Sequence, residues 1–340
     1  MNVKWIAGGD LGLAKLFLTS TDGINWVQIG DLTDQAVIWS STNGIKSNNS
    51  GAWVAVGVGS IEIWDNRYFG MACLYSNDNG QTWTNTKGEN GAWLAIGAGT
   101  TLNSVDYNGT YVAVGTRKEN GGSTALLLKS SGGILWIHEY TPIISNGDTD
   151  LELYDVKWTG KEGGWLAVGK LKHNGNVCYI YHSPNTDATN WSPLNWPYGN
   201  TYIPKEITTY GTRYYLSNKN SYKIFASGEN WNTSTLTEIS TNMSNRINLL
   251  ITNCNRLIAG GKDTSHPLMY SDDGITFINS TIENNENPEI NTISKIVNNK
   301  LIAGSLDGRL YLSSDNGVYW SVVFNGGYTT AHFHSIDYTL

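Results

Sequence analysis

Residues 76–83 read SNDNGQTW, and residues 313–320 read SSDNGVYW. Both octets follow a short apolar run, and both carry Ser, Asp, Gly and Trp at the same offsets, 237 residues apart. Their residue types suit a hairpin more than a reaction. A tight turn needs a residue at positive φ, which glycine adopts without steric cost. Asp and Ser side chains at a turn accept backbone N–H bonds. A Trp buries a large ring and anchors what it is attached to. None of these roles needs a substrate, so the octet reads as construction.

The chain around the octets repeats as well. A strand ending in small residues occurs at 5–9 (WIAGG), 53–57 (WVAVG), 111–115 (YVAVG), 165–169 (WLAVG), 257–261 (LIAGG) and 301–305 (LIAGS), with a degenerate copy, YYLS, at 214–217. Each is followed by a second apolar strand and a turn closed by Trp26, Trp83, Trp136, Trp191, Trp231, Phe277 or Trp320. These aromatics are spaced by 57, 53, 55, 40, 46 and 43 residues, which is the period of four-stranded propeller blades. A further strand precedes each unit, as in LNSV (102–105), LYDV (153–156), INLL (247–250) and INTI (290–293). The units therefore have strands A to D.

The first unit lacks its A strand. FHSIDY (333–338) matches LNSVDY (102–107), so the C-terminal strand is expected to complete the N-terminal blade and leave no edge unpaired. The expected fold is all-β, a seven-bladed β-propeller of four-stranded antiparallel blades in one domain, 1–340. Blade 1 is 331–340 plus 1–30. The others are 36–86, 100–140, 151–196, 203–236, 246–280 and 289–325. The insertion TKGENGAWLAIGAGT (86–100) mimics a B strand and has no assigned place.

The octets resemble the Asp-box, the bacterial neuraminidase repeat S-x-D-x-G-x-x-W of the sialidase-like superfamily. The pattern is full at Ser76, Asp78, Gly80 and Trp83 and at Ser313, Asp315, Gly317 and Trp320. Copies one residue shorter lie at Ser20, Asp22, Gly23 and Trp26 and at Ser271, Asp273, Gly274 and Phe277. Those at 130–136, 183–191 and 227–231 are eroded, with Gly132 standing where Asp would be. The diglycine of LIAGG, followed by Tyr270 and Phe277, is similar to a kelch unit, the lesser resemblance. Either family implies a propeller. The resemblance also implies that ligands meet the face made by the B–C loops and the blade-linking loops.

Composition excludes other classes. Hydrophobic residues are 40% and charged ones 15%, too apolar for a disordered chain. Trp and Tyr number 33 against 6 Phe, with 38 Gly and 7 Pro, which suits pleated surfaces and many turns. Net charge is −7 with no basic run, which argues against nucleic acid as a partner. No stretch of 18 apolar residues predicts membrane insertion. Cys73, Cys178 and Cys254 have no metal-like spacing and read as free thiols, two of them in strands. MNVKWIAGGD lacks a signal-peptide layout, so a cytoplasmic or virion-associated protein is expected. The abundance of Asn, Ile and Tyr fits an AT-rich genome, such as that of a large DNA virus.

The ligand candidates lie on the loops. Segment 58–72, read as the longest B–C loop, holds Trp64, Arg67 and Tyr68. Segment 116–124 brings Arg117, and the link 193–202 brings Trp196 and Tyr198. Aromatics beside Arg suit sugar rings or a protein hot spot. Sialidase chemistry needs an arginine cluster for the substrate carboxylate, since a planar fork binds it bidentately. Only six arginines are present, and Arg213 and Arg256 fall in A–B hairpins on the other face. Other glycosidases need two facing carboxylates; Glu62, Asp65, Glu119, Asp263 and Asp307 are available, and nothing in the sequence pairs them. HFH (332–334) puts His332 and His334 on one strand face, with no third ligand evident, so no metal and no cofactor is assigned. The reading is a monomeric, non-catalytic propeller that binds a protein or glycan. The alternatives are a glycoside hydrolase of the sialidase-like superfamily and a structural or assembly component.

Overall fold

The computed structural model describes residues 5–11, 15–29, 38–63, 66–88, 99–119, 122–138, 151–160, 163–173, 176–219, 221–229, 235–253, 255–294, 300–326 and 331–339. They form seven sheets of antiparallel strands in the order A-B-C-D, arranged as a ring. The A strands surround the channel. They are Ala331–Tyr338 in blade 1, then Ile38–Ser47, Thr101–Tyr107, Glu152–Trp158, Pro204–Tyr210, Arg246–Asn253 and Ile290–Ile293 in blades 2 to 7. The C-terminal strand pairs with Trp5–Leu11 from Trp5↔Tyr338 to Leu11↔Ala331, which is the expected closure. The segments after blades 2 and 6 add something the repeats did not announce. Lys87–Gly88 pairs in parallel with Leu135–Trp136, and Thr281–Ile282 with Tyr319–Trp320. Each widens the outer edge of the next blade. Residues 89–98, the body of the insertion, lie outside the described residues, as do Trp231 and Cys254. Cys73 is a buried free thiol, and burial pushes it up to about 12.

The B strands explain how one short motif builds a ring. Successive side chains of a strand point to opposite faces. In WVAVG, Val54 and Val56 pack toward blade 3, whereas Trp53 and Ala55 pack toward blade 1. In YVAVG, Tyr111 and Ala113 face blade 2, and Val112 and Val114 face blade 4. A strand buried on both faces reads as a continuous apolar run. The core of the described residues is accordingly seven clusters, one between each pair of neighbouring blades.

The octets are self-contained turns. Asn79 and Gly80, and again Asn316 and Gly317, hold positive φ. Asp78 Oδ1 accepts from the backbone N–H groups of Gln81 and Thr82 at 3.0 and 2.9 Å, and Ser76 Oγ accepts from Gly80 N at 3.0 Å. Trp83 Nε1 donates to Gly80 O at 3.0 Å. Asp315, Ser313 and Trp320 repeat the pattern. In the short copies, the N–H groups of Asn25 and Ile24 hold the Asp22 carboxyl well below the usual range. Each turn also leans on the preceding blade. A Cβ at Gly80 would strike Ile6, at Gly133 Val54 and Tyr75, at Gly274 Tyr215, and at Gly317 Ile258. Even the eroded blade 4 keeps the indole bond, Trp191 Nε1 to Ala188 O at 2.8 Å, with Ala188 at φ 55°.

Blade 3 lacks only the carboxylate. Gly133 N donates to Ser130 Oγ at 2.8 Å and Trp136 Nε1 to Gly133 O at 3.0 Å. A Cβ at Gly132 meets nothing within 4 Å. Gly132→Asp should therefore place an acceptor over the N–H groups of Ile134 and Leu135, as Asp22 does for Ile24 and Asn25 at 2.8 Å each. The expected gain is about 1 kcal/mol, read as a higher urea midpoint with an unchanged m-value; a loss would mean that this turn does not share the geometry of blade 1.

Candidate ligand-binding face and channel mouth

The stretches read as B–C loops in blades 2 to 4 are mostly paired strand. In blade 2 the ladder runs on through Val58↔Met71 to Ile63↔Asn66, in blade 3 through Arg117↔Thr124 to Glu119↔Gly122, and in blade 4 to His173↔Asn176. The B strand of blade 2 has 11 residues and that of blade 7 has 5. At about 3.4 Å per residue the difference is roughly 20 Å of hairpin. Alternating polar and apolar residues at 58–72 concealed a continued strand as a loop.

The candidate residues are placed as follows. Arg67 and Tyr68 lie on the blade 2 hairpin, opposite Glu62 and Ile61, and Trp64 lies outside the described residues. Arg117, half-buried, is on the blade 3 hairpin, and its carbonyl accepts from Thr124 Oγ1. Trp196 and Tyr198 belong to the cluster between blades 4 and 5. Trp196 is 8% exposed, its Nε1 donates to Tyr202 O at 2.8 Å, and its ring meets Phe225 edge-on. Tyr198 is half-buried and its hydroxyl donates to Leu236 O. Arg67, Tyr68 and Arg117 are carried on the B–C hairpins; Trp196 and Tyr198 are packed into the ring.

The same face opens on a polar mouth that the loop-by-loop reading missed. A cavity of about 560 Å³ is lined by residues that include Asn43, Asn103, Tyr154, Lys205, Asn291 and His334. With Asn248 these occupy one equivalent position in all seven A strands, two residues before a buried aliphatic one such as Ile45, Val105 or Ile336. Where it is Asn, the amide ties its strand to the next. Asn43 donates to Leu102 O, Asn103 to Leu153 O, Asn248 to Ile290 O and Asn291 to Phe333 O, at 2.7–3.2 Å. Three blades give up the Asn, for Tyr154, Lys205 and His334. Lys205 still reaches Asn248 O at 3.4 Å. Tyr154 donates to Glu152 at 2.5 Å, with Lys219 Nζ at 2.9 Å from its hydroxyl and 4.6 Å above its ring. Aligning the A strands in one column exposes this signal.

Below the mouth the channel, about 310 Å³, carries charge from blades 1 to 5. Lys46 and Asp106 pair at 2.5 Å. Asp155 accepts from Ser104 Oγ at 2.6 Å and Ile207 N at 3.0 Å. Burial and then the neighbouring Asp155 carboxylate push Glu206 up to about 8. Burial works against the charge on Lys157, yet Asp155 and Asp106 hold its pKa above the ordinary value. Glu206 thus binds a proton in the folded protein between its ordinary 4.5 and about 8, where the unfolded chain has released it. The contribution of Glu206 to stability falls as pH rises through that window and levels off above it. Glu206→Gln should remove that slope, so that the variant gains on the parent between pH 5 and pH 9 in urea melts; parallel curves would show that Glu206 does not titrate in this window.

Among the described residues, several carboxylates elsewhere on this face are engaged; Asp65 lies outside them. Asp263 accepts from the N–H groups of Ser244, Ser265 and His266, which hold it down at about 2 although burial opposes them. Asp307 and Glu286 both pair with Arg309, and Glu289 pairs with Arg246 and Lys262. In blade 1, Asp10 lies beside both His332 and His334. Its oxygens are 3.5 Å from His332 Nδ1 and 2.6 Å from His334 Nε2. The third partner for HFH therefore comes from the strand that closes against it.

No family model and no curated relative matches the sequence. Solved structures do resemble the ring. A GH74 xyloglucanase from Xanthomonas campestris is 12% identical with a TM-score of 0.64, covering 96% of this chain and 53% of that one. YCF48 bound to D1 peptide is 13% identical with a TM-score of 0.55, covering 85% and 82%. The WD40 β-propeller domain of Doa1 is 12% identical with a TM-score of 0.53, covering 93% and 91%. At these identities the likeness shows the propeller fold.

Proposed function

We propose that this chain is a non-catalytic recognition propeller of the Asp-box type, and that it binds a segment of a protein across the channel mouth. The observation that carries the reading is the mouth itself. It offers hydroxyl, amide and charged groups of both signs from six blades, among them Lys118, Lys205, Glu152 and Tyr154. Such a surface suits the backbone and polar side chains of a peptide. Arg117, and the hairpin positions of Arg67 and Tyr68, are proposed as further contacts, while Trp196 and Tyr198 support the face from within. A solved structure of similar fold, YCF48, is bound to D1 peptide, which supports a propeller in this role. A glycosidase needs two carboxylates facing each other across a cleft. Among the described residues, Asp263 and Asp307 are held by their own loops.

The test is a pair of arrays, one of immobilised peptides and one of glycans, probed with the protein and with Tyr154→Ala/Lys205→Ala. Selective peptide binding, weakened at least tenfold in the variant, is the expected result. Glycan binding with a silent peptide array would overturn the choice of ligand. Release of reducing sugar from a polysaccharide would overturn the non-catalytic reading.

A further inference from the structure

We propose that Asp10, His332 and His334 form a site for one divalent transition ion of the zinc class, which clasps the closing strand of the ring to the first. Their ligand atoms all lie within 4.8 Å of one another. In a tetrahedral site with bonds of about 2.0–2.1 Å, neighbouring ligand atoms sit about 3.4 Å apart. The Asp10 contacts, 2.6 Å from Oδ2 to His334 and 3.5 Å from Oδ1 to His332, lie on either side of that value, and every separation is within 4.8 Å, so shifts of no more than about 1.5 Å gather the three ligands.

The placement follows from strand periodicity. His332 and His334 are two residues apart and share a strand face. Asp10 stands directly opposite His332 in the ladder. All three are therefore carried on paired strands, which fix a site better than loops do. Two imidazoles and one carboxylate match zinc and its neighbours, and they leave a fourth position open. Magnesium and calcium take oxygen ligands and are poorly served. A simple ion pair would occupy Asp10 with one imidazole, whereas here one carboxylate is shared by two. His334 also breaks the asparagine ring at its position, and Asn291 of the neighbouring blade lies 3.0 Å from its Nδ1. Metal at Nε2 moves the ring proton to Nδ1, and the Asn291 amide then turns its oxygen to accept it at the cost of its bond to Phe333 O, an outer partner of the kind that orients ligating histidines.

Asp10 and the two histidines are more than 320 residues apart in sequence. The unfolded chain presents no such site, so binding adds to folding stability. The test uses the full-length chain stripped with chelator and titrated with zinc chloride alone. One ion per chain at micromolar Kd or tighter is expected, with Tm raised by about 4 °C at a hundredfold excess over Kd. His332 has a side chain 42% exposed, so His332→Ala should keep the metal-free Tm and lose at least tenfold in affinity. Cobalt should give a tetrahedral visible spectrum in the parent, weakened in His332→Ala and in His334→Gln. Absence of binding up to millimolar zinc, parent-like affinity in both variants, or equal binding of magnesium would each overturn the proposal.

Discussion

Gly115→Ala should destabilise the protein by about 3 kcal/mol or more, with urea and thermal melts as the measurement. Strand propensity alone gives the opposite sign, since Ala is worth roughly 0.5–1 kcal/mol over Gly in a strand. Packing reverses it. The A strand bulges where it passes Gly115, and a Cβ there would land on Thr101 O and Leu102 Cα. The neighbour is backbone and cannot rotate away. The same clash recurs at Gly9 with His332 O, Gly57 with Ser41 O, Gly169 with Glu152 O and Gly261 with Arg246 O. The last glycine of the repeated motif thus marks where the inner strand crosses closest. Blades 5 and 7 carry Asn218 and Ser305 at this position, and nothing in the structure explains why they tolerate a side chain. Gly132→Ala is the control, with no neighbour within 4 Å. A loss at Gly115 below about 1 kcal/mol would show that the inner strand yields.

Removing residues 331–340 should abolish the cooperative fold. The strand buries Ala331, Phe333 and Ile336 between blades 7 and 1. Burying a Phe or Ile side chain contributes about 1.5–3 kcal/mol each, and the net stability of a domain is only about 5–15 kcal/mol. The strand also holds blade 2. Ile45 N donates to Ser335 Oγ at 2.9 Å and Ser47 N to Asp337 Oδ2 at 2.8 Å. Its loss exposes the edge Trp5–Leu11, a template for aggregation. The expected outcome is an insoluble or broadly melting product that a peptide of residues 326–340, added during refolding, rescues. A sharp, parent-like melt of the truncated chain would show that the ring does not depend on this closure.

The sequence by itself determined the blade count, the strand order within each blade, the closure and the chemistry of the turns. The turns and the strands rest on interactions within a few residues and on period-two alternation, so a short window contains their cause: Asp78 bonds to residues 81 and 82, and Trp83 to Gly80; the closure was legible because FHSIDY repeats LNSVDY. What lies between blades was invisible. The glycine at 115 looked like a generic small residue until the inner strand was seen against it. Trp196 looked like a surface platform because its partners, Phe225 and Tyr202, belong to the link and the next blade. The mouth gathers side chains from six blades, and Asp10 meets His334 across 324 residues. Only the ring brings such positions together, because the curvature that sets them side by side comes from packing seven apolar interfaces in a circle and is encoded in no single segment.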